Sequence, residues 1–271
     1  MSTRAIPPLR SRRSRTSARG SSPSSSAFPS TAERRVYRLP HGARPVAVPT
    51  KARVRETYER IAASFAPTRR EPWPEVVAFV DSLSSGSRVL DVGCGNGRHM
   101  TALAERGHAV IGVDFSRRLL SLGREAAMAK NWASRVEWIE ADADALPLRA
   151  DAFDACICIA VLHHLPRRED RIAALREVRR VLAAGGRAFV SVWALDQPRF
   201  RDAVEKRRSM EPSSGGDTTV PWTLPDGTTV ERFYHLFQEG ELEPLIIESG
   251  LQVETFFRRT GNYFCTARKH G

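Results

Sequence analysis

The run Asp91-Val92-Gly93-Cys94-Gly95-Asn96-Gly97 constrains the fold of this chain more than any other stretch. Before it stands a short apolar strand pattern, Arg88–Val92, and after it a helical one, 98–106. Glycines at alternate positions let the backbone turn sharply and approach a ligand closely, because no Cβ intervenes. The same change of period, from strand to helix, then repeats along the chain. Strands are expected at 109–113, 136–140, 155–160 and 187–193, and helices at 117–130 and 169–182, the last closed by Gly185-Gly186. Short apolar strands separated by helices pair in parallel through crossovers, which predicts an α/β doubly wound sheet.

Outside this alternation the organisation is simpler. Val54, Tyr58, Ile61, Ala62 and Phe65 recur at helical spacing in a helix that begins at Lys51 and ends before Pro67, and Pro72-Trp73-Pro74 opens the next. The polar stretch 209–219 reads as a surface loop. A helix over 239–249 and strands over 253–257 and 263–267 close the chain, the last strand antiparallel. Residues 1–50 read as a disordered Arg/Ser/Pro-rich tail and 51–271 as the folded domain. The tail resembles an organellar transit peptide as well as a plain solvated extension, so the expected location is cytoplasmic, or an organelle if the tail is cleaved.

Charge sharpens this division. The net charge is +11, but residues 1–50 hold ten arginines against the single acid Glu33, leaving only two net charges for the remaining 221 residues. A basic nucleic-acid face in the domain must therefore be local. Arg167-Arg168, Arg179-Arg180 and Lys206-Arg207-Arg208 are candidates, although each such cluster more often reads as a solvated helix face. The four cysteines, 94, 156, 158 and 265, have neither disulfide-framework nor metal-ligand spacing, so no metal site is expected and a reducing compartment fits. No run approaches the roughly 20 apolar residues of a membrane helix.

In a doubly wound sheet, ligands bind beyond the carboxyl ends of the strands. Three acids fall there: Asp91 before the glycines, Asp114 after the second strand, and Asp142 after the third. Asp114 is placed to accept ribose hydroxyls, Asp142 an adenine amine, and Asp91 an amino group, directly or through water. The spacing is GxGxG, not GxGxxG, and the loop lacks a cation for a pyrophosphate. A nucleoside joined to a zwitterionic amino acid fits better than a dinucleotide. The expected fold is thus that of class I S-adenosylmethionine-dependent methyltransferases, Rossmann-like and mostly parallel with an antiparallel C-terminal strand. Gly93, Cys94, Gly95, Gly97, Ala143, Ala160 and Tyr58 complete the expected S-adenosylmethionine set. A nicotinamide oxidoreductase or a non-enzymatic binding module is the competing class.

Further segments narrow the substrate. The leading segment from Tyr58 through Phe65, Arg69 and Trp73, the runs 159–164 and 192–197, Val220-Pro221-Trp222 and the block from Arg232 to Leu242 all resemble the eukaryotic tRNA wobble-uridine carboxymethyl methyltransferases. That family includes the yeast-type enzyme and the methyltransferase domain of its AlkB-fused animal relatives. The resemblance covers about 54–268 and implies RNA binding and tRNA modification, with a carboxylate on the wobble uridine as methyl acceptor. A methyltransferase of the same fold acting on a small carboxylic or phenolic metabolite is the alternative. Arg69, His163, Trp193, Arg232 and His235 are the candidate catalytic residues. Arg69 would hold either the substrate's carboxylate or the cofactor's. His163 is favoured over His164 by family position, although either could cap the next helix. Trp193 would stack on the uracil or belong to the core. Arg232 and His235, three apart, would share a face on a helical turn. Tyr58 would cover the cofactor, lie on the apolar helix face, or both. The stretch between the fifth strand and the Tyr234 block is short where the yeast-type enzyme has a long insertion. The resemblance also implies a small zinc-binding activator protein that covers an apolar edge of the sheet.

Overall fold

A computed structural model describes residues 48–128, 130–200 and 215–271. Almost all of the expected tail, and the cluster Lys206-Arg207-Arg208, lie outside the described residues. The sheet holds seven strands, β1 (Arg88–Val92), β2 (Ala109–Asp114), β3 (Val136–Glu140), β4 (Phe153–Ile159), β5 (Leu182–Trp193), β8 (Gln252–Arg259) and β9 (Asn262–Arg268), in the order β3-β2-β1-β4-β5-β9-β8. Strands β1 to β5 pair in parallel, and β9 runs antiparallel to both β5 and β8. The strand order reverses beside β1, so the carboxyl ends of β1 and β4 form the switch point where such sheets bind ligands.

Helices cover both faces. Helices α2 (Pro74–Asp81), α3 (Arg98–Glu105) and α4 (Arg117–Met128) contribute Val76, Met100, Leu103 and Leu120 to one buried layer. On the other face α5 (Arg168–Val181) and α6 (Leu242–Glu248) contribute Leu175, Val178, Leu245 and Ile246. Helices on both faces leave β4 and β9 nearly uniformly buried. The first helix, α1 (Lys51–Phe65), is capped by Thr50, whose side chain accepts from the Arg53 N–H at 3.2 Å. Its apolar face packs on Leu119 of α4 and on Val230 and Phe233.

Several expectations are corrected. Residues 217–223 are a strand, β6 (Asp217–Thr223), paired antiparallel with β7 (Thr229–His235) in a separate two-stranded sheet. Arg232 and His235 therefore sit on a strand, where positions three apart face opposite ways. Gly185-Gly186 does not separate helix from strand: β5 starts at Leu182, and its glycines exchange hydrogen bonds with Lys269. Helix α6 starts only at Leu242, because Gly240 turns with φ +76° and the Glu241 carboxylate is held by His235 and the Gln238 N–H. No helix among the described residues is long and apolar enough to cross a membrane.

Candidate active site

The glycine loop connects β1 to α3, and its three glycines answer different demands. All have positive φ, +70° at Gly93, +57° at Gly95 and +78° at Gly97. A Cβ on Gly93 would lie 2.3 Å from Val161, and one on Gly97 would lie 2.2 Å from the Trp138 ring. Those two positions are glycine because the protein itself packs against them. A Cβ on Gly95 would meet no protein atom within 4 Å. There the loop faces open space, as a backbone that must meet a ligand should. The Gly93 and Cys94 N–H groups both donate to Val113 O, at 2.7 and 3.0 Å, which fixes the loop to β2. The Cys94 side chain is turned into the core against Gly112, which leaves its backbone in the loop.

The three acids separate in the same way. Asp91 is buried, and its Oδ2 has no hydrogen-bond partner in the structure. Burial, with Asp114 close by, pushes its pKa well above the carboxylate range despite the opposing charge of Arg98. An orphaned buried carboxylate is costly, and an ammonium group placed against it would remove that cost. Asp114 accepts from the Gly95 N–H through Oδ2 and the Ser116 N–H through Oδ1, both at 2.8 Å. It thus builds the loop as well as facing the site, and each oxygen retains acceptor capacity for a ribose hydroxyl. Burial raises its pKa to about 6. Asp142 pairs with Arg55 at 3.1 Å, and the neighbouring Asp144 pairs with Lys51 at 2.6 Å. These pairs tie α1 to the loop after β3. Ala143 packs on the core beside them, and Ala160 follows β4 with φ +60°, its N–H bound to Ser191. The orphaned Asp91, the open Gly95 and the acceptors of Asp114 fit S-adenosylmethionine.

Next to this cradle α1 and β7 build an aromatic and cationic wall. Tyr58 is buried with its ring edge-on to Phe115, the residue after Asp114. Its hydroxyl lies 3.0 Å from His164 Nε2 and 3.5 Å from the Tyr234 hydroxyl. The Tyr234 hydroxyl accepts from Arg232 Nη1 at 3.0 Å. The Arg232 guanidinium is buried, 4.9 Å from the Trp222 ring centroid and 6.0 Å from that of Phe65. Arg69 lies 4.5 Å from the same Phe65 centroid, so the two cations share one ring. Burial, then Tyr234, pushes the Tyr58 hydroxyl well above its ordinary range, and burial with Arg232 and Arg69 near pushes His164 down to about 3. Both groups are neutral at working pH.

Trp193 is half-buried and lies nearly parallel to Tyr234, at 4.6 Å between centroids and 17° between planes. His163 is fully buried, stacks on Tyr234, and accepts from the Trp193 N–H through Nδ1 at 3.3 Å. It orients the end of β5, whereas His164 is the member of the pair that meets Tyr58. Arg69, Trp193 and Arg232 thus gather around Tyr58 and Tyr234. His235 does not join them: its ring lies between Asp217 and Glu241 on the other face of β7.

Two features were not anticipated. Asn96, inside the glycine loop, donates through Nδ2 to Ala66 O at 3.1 Å and Arg69 O at 3.2 Å, fastening the cationic segment to the cofactor loop. The β6–β7 hairpin carries Trp222, Arg232 and Tyr234. Its signal was present as β-branched residues on both sides of Asp226-Gly227. The expected basic clusters are largely engaged: Arg168 pairs with Glu248, Arg179 donates to Gly250 O, and Arg180 binds Glu177, Leu146 O and Leu148 O.

Comparison with known proteins agrees with this fold. A methyltransferase-domain family matches residues 90–190. The tRNA (carboxymethyluridine(34)-5-O)-methyltransferase of Xenopus tropicalis is 35% identical over 259 residues, covering 78% of this chain but only 40% of the frog protein. The Schizosaccharomyces pombe protein of the same description is 30% identical over 236 residues, covering 80% of this chain and 96% of that one. The chain therefore spans less than half of the frog relative and nearly all of the fission-yeast one. Among solved structures, an S-adenosylmethionine-dependent methyltransferase from Methanosarcina mazei shares the fold, with a TM-score of 0.62 at 23% identity over 74% of this chain and 99% of that one.

Proposed function

The chain belongs to the tRNA (carboxymethyluridine(34)-5-O)-methyltransferase family, and we propose that it esterifies the carboxylate of 5-carboxymethyluridine at the wobble position of tRNA. S-adenosylmethionine, when bound, supplies a methyl group activated by its sulfonium. Asp91, the Gly93–Gly97 loop and Asp114 would hold it. The observation that carries the substrate reading is the pair of guanidiniums, Arg232 and Arg69, set on one aromatic wall beside that loop.

A carboxylate with pKa near about 4 is ionised at neutral pH, so its oxygen attacks without a general base. The nearby groups are poor bases in any case: the Tyr58 hydroxyl keeps its proton, and His164, pushed down to about 3 by burial, accepts one only weakly. What remains is positioning, which is worth several orders of magnitude in rate when attacking and accepting atoms are aligned. Arg232, steadied by the Tyr234 hydroxyl, holds the carboxylate oxygen that does not react. The apolar rings of Phe65, Trp222, Tyr58 and Tyr234 keep water away from the one that does. Trp193 supplies an aromatic surface suited to a flipped base.

The activator protein is part of this proposal. The sheet has two edge strands, β3 and β8; Val136, Trp138 and Ile139 of β3 pack into the protein's own core, whereas β8 leaves Phe257 exposed. Co-expression with a small zinc-binding partner is expected to raise yield and activity together. If the chain purified alone is monodisperse and fully active, the partner drops out.

The function itself is tested by methyl transfer to carboxymethylated tRNA, to free carboxymethyluridine and to simple carboxylic acids. Transfer to the tRNA is expected, and replacing Arg232 with Lys is expected to lower kcat/KM by roughly 100-fold, since an ammonium cannot reproduce the planar fork. Cofactor binding without methylation of the tRNA refutes the reading.

A further inference from the structure

On the face of β7 opposite the reacting pocket lies a closed cluster of charge. His235 donates through Nδ1 to Asp217 Oδ1 at 2.6 Å and through Nε2 to Glu241 Oε1 at 2.5 Å. Arg171 of α5 is buried, with its guanidinium 4.0 Å from Asp217 and 3.9 Å from Glu241. It also donates to Leu165 O and Pro166 O, at 3.0 and 3.1 Å, in the turn that follows His163-His164. Two cations and two anions, contributed by α5, β6, β7 and the approach to α6, cancel in a space that excludes most water. Single members of such clusters are hard to remove, because the remaining charges are left buried and unmatched.

We propose that Arg171, Asp217, His235 and Glu241 form a clasp that positions the β6–β7 hairpin, and through it Arg232 and Tyr234, against the carboxylate to be methylated. His235 is thereby a positioning residue. The proposal rests on the substrate reading above and says how its central cation is held. Three links connect the clasp to the pocket. Asp217 and His235 are opposite each other in the hairpin register, so their bond sets the pairing of β6 with β7. Tyr234 precedes His235 and faces the other way, receiving Arg232 at its hydroxyl. Arg171 anchors the same turn that presents His164 to Tyr58.

This arrangement makes the site sensitive to the proton on His235. With both ring nitrogens donating, the imidazole is protonated. Burial opposes that charge, as does Arg171, but Asp217 and Glu241 outweigh them and hold the pKa above its ordinary value. The other charges around the clasp are Glu169, Asp170 and Arg168 on α5 and Glu248 on α6, the last two paired with each other. Loss of the proton removes one ring donor and leaves two carboxylates facing Arg171 alone. The acceptor carboxylate, Tyr58 and His164 do not titrate between about pH 7 and 9, whereas the cofactor's amino group does, so the alkaline limb that His235→Gln removes is the part that reports the clasp.

The test uses the full chain assayed on carboxymethylated tRNA between about pH 6 and 9. Wild-type kcat/KM is expected to fall roughly tenfold per pH unit above the His235 pKa. The His235→Gln variant should lose about 10- to 100-fold at pH 7, lack that limb, and bind S-adenosylhomocysteine within about twofold of wild type. In an Arg232→Ala background the same change should cost less than about twofold, because its effect passes through Arg232. An equal loss in both backgrounds, weakened cofactor binding in parallel, or a flat wild-type profile overturns the clasp. Should His235→Gln fail to fold, Asp217→Asn and Glu241→Gln break the cluster from the acidic side with the same expectations. If the wild type binds cofactor but leaves the tRNA unmethylated, the substrate reading fails alone. Histidine ¹⁵N NMR then decides the clasp: His235 should titrate above about 6.5 and return toward it in Asp217→Asn, and titration at or below 6.5 in the wild type refutes it.

Discussion

Replacing Gly95 and Gly97 separately with alanine should divide one loop into a ligand-facing half and a structural half. Both positions have positive φ, +57° and +78°, so either alanine costs about 1–2 kcal/mol of backbone strain. At Gly95 that is the whole cost to the free protein, because the added methyl meets nothing within 4 Å. At Gly97 the methyl would sit 2.2 Å from Trp138, a ring also pressed against Gly123. Overpacking there adds about 1–3 kcal/mol, for a total of roughly 2–5. In a domain of this size each kcal/mol shifts Tm by about 2–4 °C. Gly95→Ala should therefore lower Tm by only a few degrees, and Gly97→Ala by about 5–20 °C. Cofactor affinity should follow the opposite order. A methyl on Gly95 occupies the cradle, so titration calorimetry with S-adenosylhomocysteine should show a loss of at least about tenfold. Scanning calorimetry gives the stability half of the comparison. A Gly95→Ala protein that binds cofactor normally, or two variants with equal Tm, would refute the assignment.

Two more outcomes follow from the acids and from Tyr58. Burial raises the Asp114 pKa from 3.8 to about 6, so the folded state holds this proton where the unfolded chain releases it. Stability without cofactor should then fall as pH rises through that window, by about 2 kcal/mol relative to Asp114→Asn between about pH 4 and 6.5, read from urea midpoints; parallel curves for the two proteins would exclude this. Tyr58→Phe removes the hydroxyl shared by His164 and Tyr234 but keeps the packing of the ring on Phe65 and Phe115. It should cost about 1 kcal/mol in stability and leave cofactor affinity nearly intact while lowering kcat. A purely cofactor-side defect would show that Tyr58 does not belong to the acceptor pocket.

The part of this protein that is written locally was legible from the chain alone. Alternating periods announced the parallel sheet, and the acid–glycine loop announced the cofactor, since both depend on dihedral preferences and spacing within a few residues. The loop's internal division was not legible. Gly93, Gly95 and Gly97 look equivalent in sequence, and only Val161, from the turn after β4, and Trp138 of β3 distinguish them. Nor could the sequence show that Asn96 reaches back to Arg69, because that bond needs α1 and the loop to meet. The reading of Arg232 and His235 as partners failed for one reason. A helix of 3.6 residues per turn puts positions three apart together, whereas a strand of period two puts them on opposite faces. Once 217–235 pairs as a hairpin, Arg232 turns to the aromatic pocket and His235 to Asp217, Glu241 and Arg171. Local sequence determined the cofactor cradle. Tertiary pairing decided which cations face the aromatic pocket and which join the charged cluster behind it.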